Sequence, residues 1–114
     1  MDRRELLAIA RGDQNAELVL RNARLVNVFS GAVEATDIAI AGGKVAGIGK
    51  GYSGDDEIDL AGRYVAPGLI DVHTHVYHKA TSLSVDPGFI ARRSACTTLV
   101  DAGSAGAGNY DGLR

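Results

Sequence analysis

The sequence predicts an α/β chain in which a small sheet of short strands precedes one β-strand–α-helix–β-strand unit. Residues 17–66 alternate short apolar runs with glycines and acidic turns, a texture typical of small antiparallel sheets or β-sandwiches. Residues 69–73 and 97–101 are apolar, β-branched runs, and an Asp-Pro pair that suits a helix start lies between them. Strand, helix and strand in that order are typical of two parallel strands.

Composition narrows the class of protein. The 114 residues include 12 Lys and Arg against 14 Asp and Glu, a net charge of −2, which argues against a nucleic-acid or anionic-membrane partner. A single cysteine excludes an internal disulfide and favours a reducing, cytoplasmic setting. No apolar run approaches the roughly 20 residues of a membrane-spanning helix. We therefore expect a folded cytoplasmic protein.

Residues 1–15 predict a short helix. Asp2 and Glu5 have the three-residue spacing of a capping box. Apolar residues then recur at helical spacing, and Gly12 suits the end of the helix.

Residues 16–66 predict a small antiparallel sheet or half of a β-sandwich. The candidate strands are residues 17–21, 24–28, 37–40, 44–48, 57–60 and 63–65. Gly42-Gly43 predicts a tight hairpin, since both residues tolerate positive φ. Glycines 49, 51 and 54 match a dinucleotide-binding pattern, but acidic residues rather than a helix follow them, so we interpret this segment as a turn.

Residues 67–114 predict the strand-helix-strand unit. Its first strand is expected to be buried on both faces, as in parallel sheets. Asp86 is expected to cap the helix with Pro87 at its first position, and Phe89 and Ile90 supply the buried side. One parallel pair buries too little surface to be stable by itself, so we expect the chain to be the front part of a larger protein.

The three histidines lie close together, at His73, His75 and His78. Because side chains alternate along a strand, His73 and His75 share one face, at the end of the strand where parallel α/β folds place active sites. Two neutral imidazoles there suit a divalent metal at about 2.0–2.1 Å. The alternative is a chance pair with one ring turned inward and hydrogen-bonded. Since zinc enzymes typically use three protein ligands, the other ligands are expected elsewhere.

Four further side chains each allow two interpretations. Asp71 accepts a ring N–H from one of the histidines, or satisfies backbone donors near the Pro-Gly turn. His78 is expected on a loop, as a solvated histidine rather than a substrate contact. Asp101 orients a ligand or caps the turn that follows it. Cys96 is expected to be a buried structural thiol rather than a nucleophile.

Residues 67–75, with the sequence PGLIDVHTH, resemble the first barrel strand of the amidohydrolase superfamily, and the preceding strands resemble its N-terminal half-sandwich. The resemblance implies an α/β fold: part of a small β-sandwich domain at residues 16–66, then the first unit of a (β/α)8 TIM barrel at residues 67–114. A complete barrel needs about 200 residues or more, so a truncated product or one subunit of a split enzyme is expected. It also implies that His73 and His75 bind one or two divalent metal ions. Zinc is the metal expected, and manganese and iron are the alternatives.

The two halves of the chain resemble different members of that superfamily. The helix and sheet are similar to bacterial adenine deaminases, whereas residues 97–106, nearer the site, are similar to dihydroorotase-like deacetylases. The resemblance implies hydrolysis of amide, N-acyl, cyclic amide or acyl bonds by a metal-activated water, with adenine deamination as the alternative. The general base is expected outside this chain, so that these residues alone are inactive.

A non-catalytic β module with an incidental His-x-His pair is the competing class of protein. For the complete enzyme we expect a small-molecule substrate and a homo-oligomer.

Overall fold

A computed structural model describes residues 1–113, which form two compact units. The first unit is Met1–Pro67, and the second begins at Gly68. Each unit contains its own sheet. None of the helices in residues 1–113 has the length and apolar composition needed to cross a membrane.

The first unit is one helix packed on a five-stranded sheet. Its elements are α1 (Arg3–Ala10), β1 (Ala16–Asn27), β2 (Ala32–Ala41), β3 (Lys44–Ile48), β4 (Gly54–Asp59) and β5 (Tyr64–Val65). The strand order is β3-β2-β1-β4, and β5 also pairs with β1. β4 and β5 run parallel to β1, so the prediction of an antiparallel sheet is wrong for these two strands. The reason is that the chain crosses back after β3 and pairs with the free edge of the long strand β1.

Helix α1 begins and ends as its sequence predicts. The Asp2 carboxylate accepts the Glu5 backbone N–H at 2.9 Å, and the Glu5 carboxylate accepts the Asp2 N–H at 2.8 Å, which confirms the capping box. At the other end Gly12 has a φ of +79°, and the Asp13 N–H donates to the Ala8 carbonyl at 2.9 Å. This is a Schellman ending, in which a left-handed glycine lets the last carbonyls find donors.

A bulge explains why β1 is a single strand. The sequence predicts two strands within residues 17–28, but pairing with β2 continues past a register shift between Leu20 and Ala23. Within the bulge Asn22 has a φ of +55°, and its backbone N–H donates to the Asp37 carboxylate at 2.9 Å. The strand therefore passes through a kink that looks like a turn in the sequence.

The glycine turns behave as expected. Gly42 and Gly43 have φ values of +57° and +69° and join the antiparallel strands β2 and β3, which confirms the predicted hairpin. Glycines 49, 51 and 54 lie between β3 and β4 or at the start of β4, with a strand rather than a helix after them. Their interpretation as a turn is confirmed.

The core of the first unit is built from small side chains around one fully buried valine. The cluster between α1 and the sheet comprises Ile9 of the helix and four residues of the strands, Ala16, Val19, Ala39 and Ala41. The alanines let the helix lie close to the sheet. A second cluster comprises Ala23, Leu25 and Ile38, and next to it lies an open apolar depression of about 410 Å³ whose rim includes the exposed Phe29 and Ile48.

Replacing Gly54 with alanine is expected to lower the free energy of unfolding by about 1–3 kcal/mol. A Cβ there would lie 2.6 Å from the Asp56 carbonyl oxygen and 3.0 Å from the Val19 nitrogen, so that backbone atoms of β1 and β4 would have to move. Urea unfolding measures the change. Gly108→Ala is the control, because its Cβ would meet nothing within 4 Å; equal stabilities of the two variants would contradict the prediction.

The second unit is a parallel strand pair joined by a short helix. Its elements are β6 (Leu69–Thr74), α2 (Pro87–Ala91), β7 (Cys96–Asp101) and a 3₁₀ turn at Tyr110–Gly112. β6 and β7 pair in parallel, as predicted. The Asp86 carboxylate accepts the Phe89 N–H at 3.0 Å and Pro87 occupies the first helical position, which confirms the predicted helix start.

The burial predicted for the second unit is wrong. Leu69, Ile70 and Val72 of β6 are 57%, 61% and 71% exposed, although the strand is predicted to be buried on both faces. The physical reason is that β6 pairs with β7 along one edge, while α2 packs on β7. Within residues 68–113, no other helix or strand covers the faces of β6.

Two other predicted core residues of this unit are only partly covered. Phe89 is exposed, and the Arg93 guanidinium lies 3.9 Å from the centre of its ring, whereas Ile90 is half-buried. Cys96, at the first residue of β7, is half-buried rather than buried. Both departures follow from the open faces of the two-stranded sheet.

Candidate metal centre

His73 and His75 lie on one face at the carboxyl end of β6. Thr74, between them, is buried on the opposite face, and its hydroxyl donates to the Val100 carbonyl at 2.9 Å. The ring centres of His73 and His75 are 5.8 Å apart, with an angle of 75° between the planes. His73 is exposed and His75 is half-buried, so a cation in solvent can reach both rings.

This spacing fits a shared divalent cation. A ligand nitrogen at about 2.0–2.1 Å from a metal puts its ring centre about 3.2 Å away, so two ligating rings lie at most about 6.4 Å apart. The observed 5.8 Å is within that limit. Among residues 1–113, no group of three or more His, Cys, Asp or Glu side chains is gathered closely enough to hold a metal. The two rings by themselves offer two nitrogen ligands, fewer than the three protein ligands that zinc enzymes typically use.

Ser104 holds the ring of His75. The Ser104 Oγ lies 2.9 Å from His75 Nδ1, and the serine is only 9% exposed. Sequence reasoning missed this residue. The available signal was its position three residues after Asp101, in the loop that leaves β7 at the same sheet edge as His75.

Asp101 joins the loops that follow the two strands. One carboxylate oxygen accepts the backbone N–H of Val76 at 2.8 Å and of Tyr77 at 3.3 Å. The other accepts the N–H of Gly103 at 3.1 Å and of Ser104 at 2.6 Å. The turn-capping role predicted for Asp101 is confirmed, whereas ligand orientation by this residue stays a prediction.

These hydrogen bonds lower the pKa of Asp101. Desolvation of the carboxylate raises its pKa, but hydrogen bonds from the Val76 and Ser104 backbones, the Ser104 hydroxyl and the Tyr77 backbone outweigh that effect. The pKa falls from the ordinary value of 3.8 to about 2. The carboxylate is therefore ionised at every physiological pH.

The lowered pKa predicts a loss of stability in acid. Because the folded-state value lies below the unfolded one, ionised Asp101 stabilises the fold above about pH 4, and this contribution is lost as the pH falls toward about 2. Urea unfolding between these pH values is expected to show a steeper loss of stability for the wild type than for Asp101→Asn. Equal slopes would contradict the prediction.

The other two candidates lie near the pair without contacting its rings by hydrogen bonds. The Asp71 carboxylate accepts the backbone N–H of His73 at 3.1 Å, so its partner is backbone, although at His73 rather than at the Pro-Gly turn. Any role of Asp71 toward the rings stays a prediction. His78 is exposed in the turn after β6, where its backbone N–H donates to the Val76 carbonyl at 2.8 Å, which confirms its place on a loop.

Comparisons with known proteins agree on one family. Residues 56–108 match the model of the Amidohydrolase family. The chain is 43% identical over 97 residues to an adenine deaminase from Kosmotoga olearia, covering 85% of this chain and 17% of that protein. It is 37% identical over 110 residues to a deacetylase from Agrobacterium fabrum, covering 92% of this chain and 27% of that protein. The crystal structure of a dihydroorotase superposes with a TM-score of 0.69 and 36% identity, over 85% of this chain and 26% of that one.

The chain thus spans 17% and 27% of the two curated relatives named above. The matched segment runs from β4 through the loop after β7 and includes His73, His75 and Ser104. The superfamily is generally metal-dependent and acts on small molecules, in accord with an exposed histidine pair at a sheet edge. The mixed α/β fold is similar to that of the dihydroorotase. By sequence and by fold, the chain is similar to members of the amidohydrolase superfamily.

Proposed function

We propose that this chain is the N-terminal part of a metal-dependent hydrolase that cleaves amide, N-acyl, cyclic amide or acyl bonds. In this proposal His73 and His75 supply two nitrogen ligands of the metal centre. The observation that carries it is the 5.8 Å separation of the two rings on one face of β6. We infer that the second unit begins a (β/α)8 barrel and that residues 16–66 form part of a small β-sandwich domain; the parallel pairing of β6 with β7 supports the former.

A divalent cation, when bound, lowers the pKa of a water molecule to about 7 and polarises the scissile carbonyl. The chain's own residues hold the ligands in place for that chemistry. Ser104 contacts the His75 ring, and Asp101 joins the loop that follows β6 to the loop that follows β7. Imidazole nitrogens suit zinc, with manganese or iron as alternatives. The remaining ligands and the general base belong to residues outside this chain.

The extent of the similarity to two relatives favours one substrate class over the other. The match to the Agrobacterium fabrum deacetylase covers 92% of the chain. The match to the Kosmotoga olearia adenine deaminase covers 85% at higher identity. Because the match to the deacetylase covers more of the chain, we place hydrolysis of N-acyl groups or cyclic amides first. Adenine deamination is the second candidate, favoured by the 43% identity to that relative.

The test is metal content and substrate preference of the full-length protein. We expect one or two equivalents of zinc, manganese or iron by elemental analysis, and hydrolysis of N-acetyl amino acids or cyclic amides that stops on chelation and returns with added zinc. Faster release of ammonia from adenine would select the second candidate. A protein without bound metal, with activity unaffected by chelation, would contradict the proposal.

A further inference from the structure

We propose that Ser104 is a positioning residue for His75. By accepting the His75 Nδ1–H, its hydroxyl oxygen holds the imidazole in the tautomer that leaves the Nε2 lone pair free for a cation. This inference rests on the proposed function for its purpose, but the tautomer itself is a property of the metal-free chain.

The serine is rigidly placed for this contact. Its Oγ lies 2.9 Å from His75 Nδ1, a normal hydrogen-bond distance. Its backbone N–H donates to the Asp101 carboxylate at 2.6 Å, and that carboxylate also accepts the N–H of Val76, the residue after His75. One anion thus fixes the backbone on both sides of the Ser104–His75 contact.

The direction of the hydrogen bond follows from what else the hydroxyl contacts. A serine has one O–H to donate and two lone pairs that accept. The Asp101 carboxylate can only accept hydrogen bonds, and it already accepts the backbone N–H of the same serine at 2.6 Å. The proton of the Ser104 hydroxyl is therefore expected to turn toward that anion rather than toward His75. Its lone pairs then remain for the Nδ1–H of His75. A neutral imidazole that carries its proton on Nδ1 presents an unprotonated Nε2.

His73 provides an internal comparison. Among the side-chain hydrogen bonds of residues 1–113, none involves the His73 ring, and the Asp71 carboxylate accepts only the backbone N–H of His73. Its ring is exposed, so nothing in the described part of the chain selects one tautomer. Free imidazole rings favour the proton on Nε2. The two histidines are therefore expected to differ in tautomer, although they lie on one face of the same strand.

The experiment is long-range ¹H–¹⁵N correlation NMR of the metal-free chain at about pH 8, where histidine is neutral. We expect the His75 proton on Nδ1 in the wild type and in Ser104→Thr, which keeps the hydroxyl. In Ser104→Ala, His75 is expected to adopt the same distribution as His73. Ser94→Ala, which removes a serine hydroxyl next to the opposite end of β7, is the matched control and should leave His75 unchanged.

Zinc affinity, measured by titration calorimetry, is the second readout. We expect Ser104→Ala to weaken zinc binding about 10–100-fold, the usual effect of losing a group that orients a metal-binding histidine. Ser104→Thr is expected to restore the affinity.

A wild-type His75 with its proton on Nε2, or an unchanged tautomer or zinc affinity in Ser104→Ala, would overturn the inference. Failure of the full-length protein to bind metal would instead overturn the proposed function, while the tautomer measurement still decides the role of Ser104.

Discussion

Replacing both His73 and His75 with alanine is expected to lower the affinity for Zn²⁺ by well over about 100-fold. Groups that only orient a metal-binding histidine contribute about 10–100-fold, and the ligands themselves contribute more. The two rings are 5.8 Å apart and share one strand face, so each single variant should lose most of the binding as well. Elemental analysis of the full-length protein after dialysis measures the bound zinc.

His78→Ala is the matched control for this pair. His78 is exposed in the turn after β6, three residues beyond His75. We expect this variant to keep its full metal content. Because His73 is exposed, the double variant should retain the wild-type circular dichroism spectrum, which separates loss of metal from loss of fold. Equal zinc in the wild type and the double variant would exclude these histidines as ligands.

Replacing Asp37 with alanine is expected to lower the free energy of unfolding by about 3 kcal/mol, the lower part of the range for breaking a buried ion pair. The Asp37 side chain is only 6% exposed. Its carboxylate accepts hydrogen bonds from Lys50 Nζ at 2.8 Å, the Asn22 N–H at 2.9 Å and Arg21 Nη1 at 3.2 Å. Burial raises the pKa of Asp37, but these three donors lower it by more, so the carboxylate stays charged.

Removing that carboxylate would leave the Asn22 N–H in the bulge of β1 without its acceptor and the Arg21 and Lys50 cations without a shared anion. Urea unfolding measures the difference. Asp56→Ala is the control, because Asp56 is an exposed carboxylate on β4 of the same unit, and it should change the stability by less than about 0.5 kcal/mol. Similar stabilities for the two variants would show that Asp37 does not hold the bulge.

Features that depend on neighbouring residues were predictable from the sequence. The capping box of α1 needs only the spacing of Asp2 and Glu5, and the hairpin needs only the positive φ that Gly42 and Gly43 tolerate. The parallel pair follows from the order of strand, helix and strand. Placing two histidines on one face follows from the two-residue period of β6.

Features that depend on contacts between residues far apart in the sequence were not predictable from it. Asp37 lies 15 residues from Asn22, and nothing near either residue signals that the carboxylate holds a bulge. Ser104 lies 29 residues from His75, and only the register of β6 against β7 brings them together. The parallel pairing of β4 with β1 likewise depends on which edge the returning chain reaches. The exposure of β6 also departs from prediction. An apolar sequence indicates that burial of the strand is favourable, but whether the strand is buried depends on which other elements pack on it.

The way Asp101 joins the two loops also bears on how such a site diversifies over evolution. Four backbone N–H groups donate to it, at Val76, Tyr77, Gly103 and Ser104, and a main-chain N–H is present in every residue except proline. Random mutations at Val76 or Tyr77 can therefore change the side chains around the histidine pair while leaving the bonds that position the loop intact. A lineage can therefore vary the side chains beside the histidine pair without first losing the backbone position of the loop.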